Sequence, residues 1–410
     1  SAGILARKAQ LEPMLGHPLH AFKSSMQLAQ DDVLVGWGQK ANTRQIKQKA
    51  QDLGLPYWQL EDGFIGYIGH PARGGKAVSL IADPVGIYYD ARQPSRLEQL
   101  IATPCDTMLL ARAEALTSEL LRLGITKYNC YAAGSALPDA LAARLHSDAR
   151  PKVLLIDQVA GDLSIPGALA SEADFVEMVA AARRNHPGAR LLLRTHPDTR
   201  LGKKHGVLAQ MQLDDVERVT DHCHPHALLN EVEAVYTVSS QMGFEALLLG
   251  KAVWCFGMPF YAGWGLTHDS KSCPRRQAQV SLPQLVAAAL ILYPRYLDPV
   301  LGQRCEVEQV LEVIADQLNP APRYRRLYMV GFSLWKRAFM RAFCQPLAEE
   351  LRFVRTPPKR LAADEQVLVW GSRYPELANA IRVEDGFIRS RGLGSNLCRP
   401  SSLSIDPVGI

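Results

Sequence analysis

The sequence predicts an α/β architecture: two doubly wound halves facing each other across a cleft, then the first part of a repeated module. Three observations predict it. Short apolar strands alternate with amphipathic helices along the first 319 residues, the pattern of βαβ units rather than of sandwiches or bundles. A stretch rich in Ala, Ser and Pro, Tyr131–Pro151, divides this region into halves of similar size. Two pentapeptides also recur at a single offset of 323 residues. Glu61-Asp62-Gly63-Phe64-Ile65 returns as Glu384-Asp385-Gly386-Phe387-Ile388, and Asp83-Pro84-Val85-Gly86-Ile87 as Asp406-Pro407-Val408-Gly409-Ile410. That period is too long for a solenoid and matches a complete two-domain module.

Taken in order, the first half offers apolar strands at Asp32–Gly36, Tyr57–Leu60 and Ile87–Tyr89, with helices at Thr43–Leu53, Ser95–Ile101 and Asp106–Leu123. The second half offers strands at Val153–Ile156, Leu191–Arg194, Ala234–Val238 and Val253–Phe256. Its helices are expected at Asp174–Asn185, His226–Glu233, Gln241–Leu249, Leu282–Tyr296 and Glu306–Leu318. Asn319-Pro320-Ala321-Pro322 reads as a linker. The expected division is therefore 1–130 for an acceptor-side Rossmann-like domain, 131–319 for a donor-side domain with C-terminal helices, and 320–410 for a linker and a partial second acceptor-side domain. Upstream of the exact repeats, Val33-Leu34-Val35-Gly36-Trp37-Gly38 resembles Val367-Leu368-Val369-Trp370-Gly371, and Arg7-Lys8 answers to Lys336-Arg337. Because the second copy stops at Ile410, the chain reads as a fragment of a longer tandem protein.

Composition narrows the function. A hydrophobic fraction of 47% with 21% charged residues is that of a globular chain. Forty-six Lys and Arg against 41 Asp and Glu leave a net charge of +5. This suits an anionic small substrate or an anionic membrane surface and is too scattered for nucleic acid. The longest wholly apolar run, Leu285 to Tyr293, falls short of the roughly 20 residues of a transmembrane helix. The 8 cysteines stand singly with no Cys-x-x-Cys, as reduced thiols do in a cytosolic protein.

Several loops could carry chemistry. Ligands in doubly wound sheets bind beyond the carboxyl ends of the strands, and Glu61-Asp62 follows one such strand, with Gly63 allowing a turn. Asp157, Gln158, Asp162 and Ser164 follow another. One carboxylate from each half would meet across the cleft, the arrangement glycosyl transfer uses, one acid as nucleophile or cation stabiliser and the other as general acid or base. Arg194-Thr195-His196-Pro197 ends the next strand and sends His196 toward the same crevice, where it can bond a phosphate or a carboxylate; Arg194, Arg200, Lys203 and Lys204 add positive charge. Ser239 or Ser240 can cap the following helix, whose free N–H groups and dipole favour an anion, with Glu245 in its first turns able to reach ribose hydroxyls. The loop Phe256 to Gly265, rich in Gly and aromatics, is of the kind that lines a base or sugar pocket.

Other motifs carry less. His222-Cys223-His224-Pro225-His226 looks like a metal cluster, but ligands this close in sequence cannot all reach one ion. The basic amphipathic helix Leu334 to Phe343 can touch an anionic membrane or pack internally, and internal packing is the expectation. Walker A, a Gly-x-Gly-x-x-Gly after a strand and Gly-x-Ser-x-Gly are all missing from the sequence, which argues against ATP hydrolysis, dinucleotide redox and serine hydrolase chemistry.

Taken together, Glu61-Asp62-Gly63-Phe64, Asp83 to Asp90, Thr126-Lys127-Tyr128-Asn129, Asp157 to Ser164, His196-Pro197-Asp198, Ser240 to Leu247 and Phe260 to Thr267 resemble the bacterial capsule polysaccharide β-Kdo transferases of the KpsC type. The resemblance implies a GT-B-like fold, tandem modules, and a retaining Kdo transferase that needs no cofactor beyond its donor substrate, CMP-Kdo. It implies a Kdo-lipid acceptor built on lysophosphatidylglycerol, work at the cytoplasmic face of the inner membrane with peripheral membrane contact, and capsule assembly proteins as partners. It further implies Asp162 as nucleophile and Glu61 as general acid/base, with His196, Ser239, Ser240 and Glu245 gripping CMP and the Kdo carboxylate, beside Gln158 and Arg194. Arg194 departs from the Lys the family tends to carry there, a fork in place of a point charge. Alternatives are another GT-B enzyme, such as a nucleotide-sugar epimerase, and a non-catalytic glycolipid-binding module.

Overall fold

The computed structural model describes residues 2–23, 26–39, 41–71, 74–131, 136–195, 205–209, 211–318, 323–387 and 398–406. The chain forms two compact units, 1–318 and 319–410, each described by itself.

The first lobe of unit 1 opens with β1 (Leu34–Trp37), β2 (Tyr57–Asp62), the small strands β3 (Tyr67–Ile68) and β4 (Lys76–Ala77), and β5 (Ser79–Asp83). The second lobe contains β6 (Lys152–Ile156), β7 (Arg190–Arg194), β8 (Val216–Val219), β9 (Ala234–Thr237), β10 (Ala252–Cys255) and β11 (His268–Asp269). The chain then crosses back to the first sheet through β12 (Arg295–Asp298) and β13 (Gln303–Cys305), giving the order β1-β2-β5-β12-β13. The helix Val307–Leu318 follows, tied to the first lobe where Arg112 bridges Glu306 and Glu308, each at 2.8 Å. This return was not visible in a division that kept 131–319 together.

The second lobe is the doubly wound sheet expected, six parallel strands in the order β11-β10-β9-β6-β7-β8. Its central strands are apolar on both sides because helices cover both faces. Phe175 and Met178 of the helix Glu172–Asn185 pack with one face, while Leu228 and Phe244 pack with the other. The first sheet differs from the expectation: only β1 and β2 are parallel, and β2–β5, β5–β12 and β12–β13 are antiparallel. A parallel return needs a crossover, usually helical, and among the described residues of 63–78 the β3–β4 hairpin is the one paired element, so the chain doubles back.

Two predicted elements change identity. Ile87–Tyr89 is part of a turn, not a strand. Asp83 organises it: its carboxylate accepts from the N–H groups of Val85 at 2.7 Å, Gly86 at 2.9 Å and Arg96 at 2.9 Å, and from the Tyr293 hydroxyl at 2.7 Å. The expected helix Leu282–Tyr296 is α-helical only over Leu282–Val286, continues as a π-helix over Ala287–Leu292, and gives way to β12. Pro294 cannot continue a helix, and β5 offers an edge for the strand that follows.

The largest core cluster runs without a break from the first lobe, through Ile65, Val78 and Leu116, into the second, through Leu154, Leu192 and Phe244. Phe64 sits at the junction, its ring 4.8 Å from that of Tyr88 and 4.4 Å from that of Phe260. Glu98 joins the lobes electrostatically, bonding Arg275 at 2.7 Å and Arg276 at 3.1 Å.

Unit 2 contains β14 (Tyr324–Val330), β15 (Ala348–Val354), β16 (Glu365–Trp370), β17 (Ile381–Asp385) and β18 (Leu403–Asp406), in the order β15-β14-β16-β17-β18. Its helix Leu334–Cys344 buries Phe339, Met340 and Cys344, and Lys336 lies 3.2 Å from the Trp370 ring centroid. Gln59 pairs Asp83 across β2–β5, and Arg382 pairs Asp406 across β17–β18: the same register, shifted by the sequence offset. Gly38 N–H donates to Leu60 O and Gly371 N–H to Val383 O, both at 2.9 Å. The Phe of the repeated motif behaves oppositely in the two places: Phe64 is 2% exposed, whereas Phe387 is fully exposed.

Candidate active site

A cleft of about 810 Å³ opens between the lobes of unit 1. The first lobe contributes Trp37, Gly38, Glu61, Tyr88, Tyr89 and Lys127; the second contributes Gln158, Asp162, Arg194, Ser239 and Glu245. Both candidate carboxylates therefore line one cavity from opposite lobes.

Glu61 reaches it because side chains alternate along a strand: Leu60 faces the core formed with Leu11 and Met14, and Glu61 faces the cleft. Its Oε1 accepts from the Trp37 indole N–H at 3.2 Å and from Asp62 N–H at 3.1 Å. Burial, reinforced by the neighbouring Asp62 charge, pushes the carboxyl up to about 7. Gly38 leaves it room. Its φ is +58°, and a Cβ there would stand 3.4 Å from Glu61 Oε2 and 3.5 Å from the Tyr89 hydroxyl. Asp62 is turned elsewhere, accepting from the Tyr67 hydroxyl at 2.7 Å and facing Arg7 at 3.5 Å.

Asp162 lies on the loop after β6. Asp157, buried at the strand end, pins that loop: its Oδ1 accepts from Gln158 N–H at 2.9 Å and Leu208 N–H at 3.0 Å, while Oδ2 has no hydrogen-bond partner among the described residues. Burial raises the Asp157 carboxyl. Gly161, at φ +76°, turns the chain, and Asp162 is exposed to the cleft, accepting from Ser164 N–H at 2.8 Å. Tyr89 senses both acids. Burial first, then the charges of Glu61, Tyr88, Asp90 and Asp162, raise its phenol.

The remaining predicted residues divide. Gln158 clamps Ser239, donating from Nε2 to its Oγ at 2.9 Å and accepting its N–H at 2.8 Å. Ser240 N–H is taken by Thr237 Oγ1 at 3.2 Å. The expectation of a serine-capped helix is met in part: Ser240 Oγ accepts from Met242 N–H at 3.3 Å, but Gln241 holds the N-cap position without a side-chain cap and the helix Met242–Leu248 is short. Glu245 lines the cleft but is largely buried; burial pushes it up to about 7 against the Lys127 N–H and the charges of Lys127 and Arg194. Arg194 lines the cleft but spends its guanidinium on Asp221 O at 3.1 Å, Cys223 Sγ at 2.8 Å and Cys223 O at 3.1 Å. Of the aromatic loop, Pro259 and Phe260 reach the cavity, whereas Tyr261 and Trp264 are core. His196, with Arg200, Lys203 and Lys204, lies outside the described residues.

Sequence reasoning missed Trp37, Tyr89 and Lys127 as cleft residues. Tyr89 and Lys127 stand inside recognisable motifs, but nothing in their spacing points them at Glu61. Lys127 follows the helix Thr107–Leu123, and its carbonyl accepts from Gly66 and Tyr67 N–H, both at 3.0 Å. Burial works against its charge, but Tyr128, Tyr88, Asp62 and Glu61 outweigh it and its pKa rises.

Comparisons with known proteins give the family and the fold. A family model described as capsule polysaccharide biosynthesis protein matches residues 32–296. Capsule polysaccharide modification protein LipA of Neisseria meningitidis serogroup B is 37% identical over 434 residues, covering 100% of this chain and 61% of its own length. Its serogroup A counterpart is 39% identical over 402 residues, covering 92% and 56%. The chain thus spans less than two thirds of the length of these curated relatives. Among solved structures, Thermosulfurimonas dismutans KpsC, beta Kdo 2,4 transferase, superposes with a TM-score of 0.71 at 40% identity, covering 77% of this chain and 96% of that one. The beta Kdo 2,7 transferase of the same organism's KpsC gives 0.52 at 29% identity, covering 70% and 86%. The fold of unit 1 is GT-B-like, and the chain belongs to the capsule polysaccharide biosynthesis protein family.

Proposed function

We propose that unit 1 is a retaining β-Kdo transferase using CMP-Kdo, and that it extends a Kdo oligosaccharide on a lysophosphatidylglycerol lipid. The observation that carries the reading is the placement of Glu61 and Asp162 on one cleft from opposite lobes. Asp162 attacks the anomeric carbon, the bond to phosphate oxygen breaks, and CMP leaves with the electron pair. The ester so formed is opened by an acceptor hydroxyl whose proton passes to Glu61, and Asp162 departs as carboxylate. A carboxyl held near 7 is suited to accept that proton at neutral pH. Two inversions at one carbon retain configuration. Gln158, Ser239, Ser240, Arg194, Glu245 and His196 form the donor side in this reading. Greater likeness to the 2,4 than to the 2,7 transferase favours a 2,4 linkage.

The shared register of β2–β5 and β17–β18 supports reading unit 2 as the start of a second module. The exposed Phe387 marks where a further donor lobe would pack. Action at the cytoplasmic face of the inner membrane, beside export proteins, belongs to the same proposal. Among the described residues no helix is long and apolar enough to cross a membrane.

The test is intact-mass spectrometry after incubation with CMP-Kdo, together with CMP release with and without a Kdo-lipid acceptor. A Kdo adduct on Asp162 and acceptor-stimulated release are expected. Normal transfer by Asp162→Asn overturns the nucleophile. An altered sugar without acceptor indicates an epimerase, and the absence of CMP release a binding module.

A further inference from the structure

Lys127 has no role in the mechanism above, yet its position is unusual. It lines the cleft between the two carboxyl groups whose protonation is poised near neutrality, Glu61 and Glu245. Its backbone is fastened to both lobes. The carbonyl accepts from Gly66 and Tyr67 N–H at 3.0 Å each in the first lobe, and the N–H faces the Glu245 carboxyl in the second. Its side chain is half-buried, with Nζ 5.7 Å from the Tyr128 ring centroid. Among the described residues no carboxylate lies within ion-pairing distance of it. Arg194, the described cation of the second lobe's wall, already donates three hydrogen bonds to Asp221 and Cys223. The surrounding groups keep Lys127 charged, none of them closes an ion pair with it, and a charge-assisted hydrogen bond to an incoming anion is among the strong ones.

We propose that Lys127 is the anion-binding residue for the carboxylate of the transferred sugar acid. This rests on the proposed donor class. The groups facing Lys127 are Glu61 and Asp62 from β2, Tyr88 from the following turn, Tyr128 beside it and Glu245 from the facing helix. Two consequences follow. The carboxylate docks on the rim from which Glu61 works, so the anomeric carbon next to it is held between Glu61 and the Asp162 loop. Pairing with substrate also neutralises a cation that favours ionised Glu61, so Glu61 holds its proton more firmly in the loaded site than in the empty one.

The experiment is a cycle read by calorimetry, with Asp162→Asn in every protein so that no sugar adduct forms: wild type at 127 and Lys127→Gln, each with CMP, with CMP-Kdo, and with CMP-Kdo whose sugar carboxylate is a carboxamide. Losing one charged hydrogen bond should weaken CMP-Kdo binding by about 10-fold to 100-fold. That loss should appear on changing either the lysine or the carboxylate, with little added by changing both, and CMP affinity should be unchanged. Lys127→Arg should recover part of it. If Lys127→Gln does not fold, the carboxamide against wild type still reads the subsite. Full-strength carboxamide binding, or equal CMP-Kdo binding by wild type and Lys127→Gln, overturns the assignment and leaves the transferase reading intact. Failure of wild type to bind CMP-Kdo more tightly than CMP overturns both.

Discussion

Replacing Glu61 by Gln should stabilise unit 1 above neutral pH while abolishing transfer. The carboxyl is held at about 7 against an ordinary 4.5, chiefly by burial. Each pH unit of that difference is worth about 1.4 kcal/mol, so ionising Glu61 costs the native state roughly 3 kcal/mol. The sign follows from proton counting. Between the unfolded and folded values the native state holds more protons than the unfolded one, so stability falls as pH rises through that window. Below it both states are protonated and the penalty vanishes. Gln cannot ionise and still offers an oxygen to the Trp37 indole N–H, 3.2 Å away in the wild type. Urea unfolding of both proteins, followed by tryptophan fluorescence at about pH 5 and pH 8.5, should show the variant gaining about 3 kcal/mol relative to wild type between the two conditions. An offset independent of pH, or a relative loss at high pH, would refute the account of Glu61 as a carboxyl whose proton burial retains.

If Glu61 is the base for the acceptor hydroxyl, the rate of transfer rises with pH through about 7. Trp37→Phe removes a donor that favours the ionised form, so that limb should move to higher pH in a transfer-rate profile. Glu98→Ala strands Arg276, which is only 6% exposed, and should cost about 3–5 kcal/mol in urea unfolding, with Glu98→Gln costing less. Gly63→Ala places a methyl on the Ser79 side chain and should cost about 1–3 kcal/mol. Ser79→Ala in the same chain should restore part of it, and Gly386→Ala against Ser402 should behave alike in unit 2.

The alternation of strands and helices located most elements of the second lobe, because an all-parallel sheet writes itself as apolar runs separated by amphipathic helices. The first lobe was harder. Its antiparallel turns depend on what lies between strands, and β12 was hidden inside an apolar run that reads equally well as helix. That Glu61 and Asp162 would line one cleft was legible because the first ends a strand and the second follows one on its loop, at the rim where α/β sites form. Their surroundings were not: that Asp83 is a turn anchor, that Arg194 points into backbone and thiol, and that Ser239 is held by Gln158 are matters of which partner arrives first in three dimensions. Lys127 was invisible for the same reason, since Glu61 and Glu245, which share the cleft with it, stand far away along the chain.

The uninterrupted packing behind the cleft has a kinetic corollary. To swing one lobe outward, Phe64 would have to leave Phe260 and Phe244, and the Gln241 amide would have to leave Phe64 O, 2.7 Å away. Each aromatic ring so uncovered exposes on the order of 150–250 Å² at roughly 25 cal/mol per Å². A jaw-like cycle is therefore expensive at every turnover. Loop motion at the mouth, on the nanosecond-to-microsecond scale, is then the cheaper route for donor entry and product escape.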